Sequence, residues 1–301
     1  MKKTIVAAAI AAVVAAPAAM AELKISGQIN QEFGDDGADL EQNLNVDIKF
    51  SGSEDLGNGM KAGFVVAMVA DNAASGELGE SSSGANDGEH KASDQYLTLS
   101  GDFGSVQVGT FEPYTESAVV ALAANDAADA ISIETALGNE GREEGGIRYT
   151  SPAMNGFKVG LEGFAQNQTT GNDFGTTAIF AEYSNGPLLV RVADEDGTDA
   201  SGDDITTFAA QYKMGDLTVR AVYSDNDTDS TDETFVGAAY KMGNNEIAVA
   251  TIADATASLG TDGDYTLSFK HNMSKTTAVY VATKNDDDGS DTTLVGMQMK
   301  F

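Results

Sequence analysis

"DTTLVGMQMKF" runs from Asp291 to Phe301 and closes the sequence. Thr293, Val295, Met297, Met299 and Phe301 fall on one side of an extended chain. Thr292, Gly296, Gln298 and Lys300 fall on the other, with Leu294 the one exception. Side chains alternate along a strand with a period of two, so the stretch reads as a ribbon with one apolar and one polar face. Domains usually end in loose polar residues. A strand that alternates up to a terminal aromatic predicts instead an end held in place by a neighbouring strand.

The same pattern opens the mature part of the sequence. In "ELKISGQINQEF" (22–33), Leu23, Ile25, Gly27, Ile29 and Phe33 share a face opposite Glu22, Lys24, Ser26, Gln28, Asn30 and Glu32. "LNVDIKFSG" sets Leu44, Val46, Ile48 and Phe50 against Asn45, Asp47, Lys49 and Ser51. Further candidates bring the total to about sixteen segments, each near the ~10 residues of a tilted membrane strand. Two of them, 187–194 and 276–284, are partly apolar on both faces.

Connection lengths alternate. Tight turns are expected at "GDFG" (101–104), "AMNG" (153–156), "SNG" (184–186), "MGD" (214–216), "MGNN" (242–245) and "NMSK" (272–275), where Gly and Asn supply positive φ. Long acidic stretches lie between them at 72–92, 113–142, 194–203, 225–233, 254–263 and 285–291. This asymmetry predicts an all-β fold: a transmembrane antiparallel β-barrel with short periplasmic turns and long external loops. A barrel of about 16 strands is wide enough to hold an aqueous channel, with its polar face turned inward.

Met1 to Ala21, "MKKTIVAAAIAAVVAAPAAMA", has a basic start, an apolar stretch and a small-x-small end. It reads as a secretory signal peptide (1–21), leaving one domain over 22–301. Losing Lys2 and Lys3 leaves 15 basic side chains against 47 acidic ones, a net charge of −32. Such a charge argues against nucleic-acid binding and suits a surface that attracts cations. The chain has no Cys, so no disulfide framework holds it together. With no Cys and two His, His90 and His271, no catalytic triad or usual zinc site can be assembled. Neither an enzyme nor a cofactor is expected.

Three stretches carry a resemblance to the Gram-negative general porins: "EDLGNGMKAGF" (54–64), "LSGDFGSVQVGT" (99–110) and "GIRYTSPAMNGFKVG" (146–160). Phe301 resembles that family's terminal aromatic. The resemblance spans the mature sequence. It implies an outer-membrane channel for small hydrophilic solutes and ions, a homotrimer, and barrel-assembly machinery that reads Phe301. It also implies a third loop folded inward. Segment 113–142 would then narrow the pore with Glu116, Asp126, Asp129 and Glu134, opposite a basic wall of Lys24, Lys49, Arg142 and Arg148. Segment 72–92 resembles the loop that reaches over a neighbouring subunit. One departure is Thr110, where the family often carries an arginine on the pore wall.

The acidic loop 225–233 spaces Asp225, Asp227 and Asp229 two apart but lacks the Gly and Glu of a calcium loop, so only weak Ca²⁺ or Mg²⁺ bridging is expected there. A cation-preferring porin is the leading expectation. The alternatives are a secreted or surface acidic β-protein binding calcium or partners, and a substrate-specific outer-membrane channel. The last would want a line of aromatics along the pore, and the sequence shows no obvious one.

Overall fold

A computed structural model describes residues 23–35, 40–71, 92–119, 142–165, 174–197, 204–227, 231–253, 265–285 and 291–301. The expected signal peptide lies outside them. The first strands are β1 (Lys24–Asp35), β2 (Leu40–Gly57), β3 (Met60–Asp71), β4 (Ala92–Gly101) and β5 (Gly104–Phe111). After a π-helical turn at Thr115–Val119 come β6 (Glu143–Thr150), β7 (Phe157–Phe164), β8 (Thr176–Asn185), β9 (Leu188–Gly197) and β10 (Ile205–Met214). The last six are β11 (Leu217–Asn226), β12 (Thr231–Met242), β13 (Asn245–Ala253), β14 (Tyr265–Asn272), β15 (Thr277–Asn285) and β16 (Thr292–Lys300).

Each strand pairs antiparallel with its sequence neighbours, and β1 pairs with β16, closing the barrel. The seam answers the expectation raised by the final strand. Gly27 and Phe301 exchange two backbone hydrogen bonds, each 3.0 Å, so Phe301 extends the ladder one residue beyond Lys300. Closure leaves no strand edge exposed.

The alternation sorts side chains as expected on the outside. Leu97 and Ile179 are each 65% exposed and Leu161 is 58% exposed, in company with Val108, Phe208, Val236, Val249 and Leu267. An apolar band of this extent has no place in water. It is satisfied by lipid. Outward aromatics Phe157, Tyr183, Tyr212 and Tyr240 stand at the short-turn ends of their strands, where an interfacial belt belongs. The turns themselves use positive φ at Gly186, Gly215 and Gly243, as tight hairpins require.

Two features differ from the sequence reading. β2 runs over 18 residues, past "LNVDIKFSG" at both ends. More important, the inner face is not polar all round. Phe180, Ala193, Ala209, Val222, Phe235, Ala250 and Ile252, from β8 to β13, form one buried lumenal cluster, with Tyr114 packed against it. On the other side Tyr280, Ala282 and Leu294 form a second. The Tyr280 hydroxyl donates to Glu32 Oε1 across the β1–β16 seam at 2.6 Å. This is why 187–194 and 276–284 read as apolar on both faces: one apolar face meets lipid and the other packs inside the barrel.

Candidate functional site

The site is the lumen wall and the root of the third loop, which leaves β5 at Phe111 and turns inward. Register fixes the wall. Arg148 of β6 stands opposite Glu162 of β7, Lys158 opposite Glu182 of β8, and Glu182 opposite Arg191 of β9. Every one of these sits on the inward parity, so the strand period alone brings bases and acids together.

Those charges grip the loop root. Glu162 has no exposed side-chain surface; it pairs with Arg148 Nε, and its Oε1 accepts the Tyr114 backbone N–H at 2.6 Å. Arg148 donates from Nη2 to the Glu112 carbonyl at 2.6 Å and lies over the Phe111 ring at 4.7 Å. Arg191 donates to Glu182 at 2.9 Å and to the Ala118 carbonyl. Glu182 also accepts from Lys158 at 3.1 Å. The Tyr114 ring stacks on Phe180, centroids 3.7 Å apart and planes 9° from parallel. Residues 112–118 are thus held at both ends and in the middle. Burial pushes the Tyr114 hydroxyl up to about 12. Burial also raises the Glu112 carboxyl, against the pull of Arg142.

Arg142, just after the loop, pairs with Glu112 at 2.7 Å and Asp94 at 3.3 Å. Glu116 lies on the π-helical turn, which touches β9 and β10. Lys24 and Lys49 are inward and exposed, opposite Ser51 and Ser26. Asp126, Asp129 and Glu134 lie outside the described residues, as do segment 72–91 and Asp229. Asp225 sits on the outward side opposite Thr206 and Asp232, and the Asp227 N–H donates to the Asp204 carbonyl at 3.0 Å. Among the described residues no group of three His, Cys, Asp or Glu could hold a metal ion. Thr110 stands opposite Gln95 on the outward face, beside a bulge at Gly109/Phe111. Its side chain is therefore not on the pore wall.

Glu162, Glu182 and Arg191 were missed by sequence reading. The signal was present, since each shares the inward parity that singled out Arg148. The rings Phe111, Phe164, Phe180 and Phe235 also face inward, but they are buried at the loop root and wall, so they form no exposed slide for a solute.

A closed sixteen-strand barrel with a lipid-facing apolar band and a charged lumen is a transmembrane channel. Over residues 7–291 the chain matches the Gram-negative porin family, and it belongs to that family. It is 25% identical to outer membrane porin protein 32 of Delftia acidovorans over 343 residues, covering 100% of this chain and 93% of the relative. An anion-selective porin from Comamonas acidovorans has a similar solved structure, with TM-score 0.69, 20% identity, and coverage of 94% of this chain and 100% of that one. A substituted Rh. blastica porin gives TM-score 0.73 at 18% identity, with the same coverage. The protein is an outer-membrane channel for solute diffusion, and its family is one of channels rather than catalysts.

Proposed function

We propose that this porin is a passive, cation-preferring channel for small hydrophilic solutes and ions, assembled as a homotrimer after removal of residues 1–21. The observation that carries the cation preference is the charge of the mature chain, −32, concentrated in the external loops. A low-dielectric wall focuses that field into the mouth and raises the local cation concentration. The Comamonas porin is described as anion-selective. At 20% identity the likeness is one of fold, and the sign of selectivity is set by each chain's own charges. Here the three wall bases Arg148, Arg191 and Lys158 are paired with two acids, Glu162 and Glu182, which leaves a single excess positive charge there to oppose the loops.

Reversal potentials in a KCl gradient test the reading. The wild type should prefer K⁺ strongly at 0.1 M, where the Debye length is about 10 Å, and less at 1 M, where it is about 3 Å. Replacing Asp286, Asp287 and Asp288 with Asn should weaken the preference mainly at low salt, because mouth charges are screened. Replacing Glu116, Asp126 and Asp129 with neutral residues should weaken it at all salts if they line the constriction. An anion-selective wild type overturns the proposal.

The homotrimer is supported by family membership and by the candidate latch at 72–92. Deleting Ser81 to Gly88 should loosen the trimer on native gels while leaving a heat-modifiable barrel. A wild type that runs as a monomer would end this part of the reading.

A further inference from the structure

Most lysines of the barrel stand at its short-turn end, while Lys49 lies in the middle of β2 and Lys284 near the external end of β15. Lys24 opens β1, Lys300 closes β16, Lys61 follows the turn into β3, and Lys213 precedes the turn out of β10. Register puts all four on the inward face, opposite Ser51, Gln28, Ser100 and Thr218 respectively, with Lys61 also facing Asp55 of β2 at a distance too long for an ion pair. All four are exposed, and none makes an ion pair among the described residues. Lys158, Lys241 and Lys270 stand at the same short-turn end but are paired, the first with Glu182 and the other two with Glu246 at 3.5 and 3.8 Å.

The other end is opposite in sign. Asp194, Glu195 and Asp196 stand just before the end of β9, Asp232 and Glu233 just after the start of β12, and Asp204 and Asp291 immediately precede β10 and β16. In sequence, the external connections 36–39, 72–91, 120–141, 166–173, 198–203, 228–230, 254–264 and 286–290 contain a single lysine, Lys91, and no arginine.

We propose that the pore is bipolar along its axis, with an acidic outer mouth and a lysine-lined periplasmic mouth, and that it therefore rectifies current. The acidic mouth enriches cations and the lysine mouth enriches small anions. A positive outer side drives cations inward from the mouth that holds them and anions outward from the mouth that holds them. Both carriers fill the lumen, and conductance is high. Reversing the voltage asks each carrier to enter through the mouth that repels it, and the lumen is depleted. The inference rests on conduction by this barrel and not on the sign of its net selectivity.

The test is the current–voltage curve of the full-length porin in planar bilayers with symmetric KCl. The chain has no cysteine. An Asn244→Cys variant, altered in the β12–β13 turn, therefore reports orientation when a bulky neutral thiol reagent added to one compartment reduces the current. At 0.1 M the ratio of currents at opposite voltages of about 100 mV should be about 2, larger with the outer side positive, and should fall towards 1 at 1 M as the Debye length shrinks to about 3 Å. K24Q/K61Q/K213Q/K300Q should bring the ratio near 1 at 0.1 M and increase the K⁺ preference. If that variant does not assemble, the salt dependence and sense of wild-type rectification decide alone. A linear wild-type curve at 0.1 M, rectification of the opposite sense, or a ratio unchanged in an assembled variant overturns the inference. An anion-selective wild type that rectifies as described would refute the cation preference and leave this inference standing.

Discussion

Phe301→Asp should abolish the assembled barrel while leaving export intact, and Phe301→Tyr should assemble normally. The motive is the seam. Phe301 exchanges both backbone hydrogen bonds with Gly27, and its ring lies against that glycine: a Cβ built there would sit 2.7 Å from Phe301 Cζ. The lack of a side chain at Gly27 is what lets the ring lie flat on the strand, an aromatic covering a glycine. Thermodynamics alone predicts a modest penalty for the aspartate. A charge on the lipid face near an interface costs about 0–1 kcal/mol, and Asp costs less than Lys or Arg. A barrel that merely loses ring packing should still close and show a lowered melting temperature. Complete loss of the heat-modifiable species, with the unfolded chain still exported, would mean that the aromatic is read during assembly. Normal amounts of folded barrel in Phe301→Asp would sink the recognition role. Gly27→Leu separates the two effects. It leaves the terminal aromatic intact but crowds both the ring and the Asp47 carbonyl, which an added Cβ would approach to 2.1 Å. It should fail by misfitting the seam.

The barrel was legible in sequence because its two signals are local and repeated. The strand period separates Ile25 from Lys24 and Val295 from Gln298 without knowledge of any partner. Gly or Asn punctuates the short turns except the last, 273–276, which has no positive φ and is held by Ser274 Oγ accepting the Thr276 and Thr277 amides, and strand counting follows. The inner packing was less legible. Parity says which side of the wall a residue faces, but not whether a loop lies over it. Phe180, Val222 and Phe235 therefore looked no different in character from the lipid-facing Phe208 and Val236. The charged grip on the loop was half legible. Parity marks Arg148, Arg191, Glu162 and Glu182 alike, but the loop-side partners of Glu162 and Arg191 are the Tyr114 amide and the Ala118 carbonyl, which carry no sequence signature, and Glu182 meets only the wall bases Lys158 and Arg191. Asp126, Asp129 and Glu134 belong to a segment without periodicity, so no parity argument reaches them.

Glu162→Leu should release the root of the third loop and make the channel noisier and more conductive. Glu162 satisfies two donors at once, the Tyr114 amide and the Arg148 guanidinium. Removing it leaves a guanidinium only 12% exposed without its counter-charge, and breaking a buried pair from one side costs about 3–5 kcal/mol. The sixteen-strand ladder does not depend on this pair. The cheapest relaxation is for Arg148 to swing into the lumen, which also releases the Glu112 carbonyl. At about 1.4 kcal/mol per factor of ten, the released root should become at least about a hundredfold more populated. Arg191 and the Tyr114–Phe180 stack still tether the segment, so flickering between conductance levels is expected rather than one enlarged pore. The double variant Arg148→Met with Glu162→Leu distinguishes the buried charge from the lost grip. Two apolar side chains remove the unpaired charge, so thermal stability should recover towards wild type. The Tyr114 amide and the Glu112 carbonyl remain without their wall partners, so the current noise should persist. Quiet single-channel records from both variants would show that the loop is held elsewhere and that the Arg148–Glu162 pair serves only the wall.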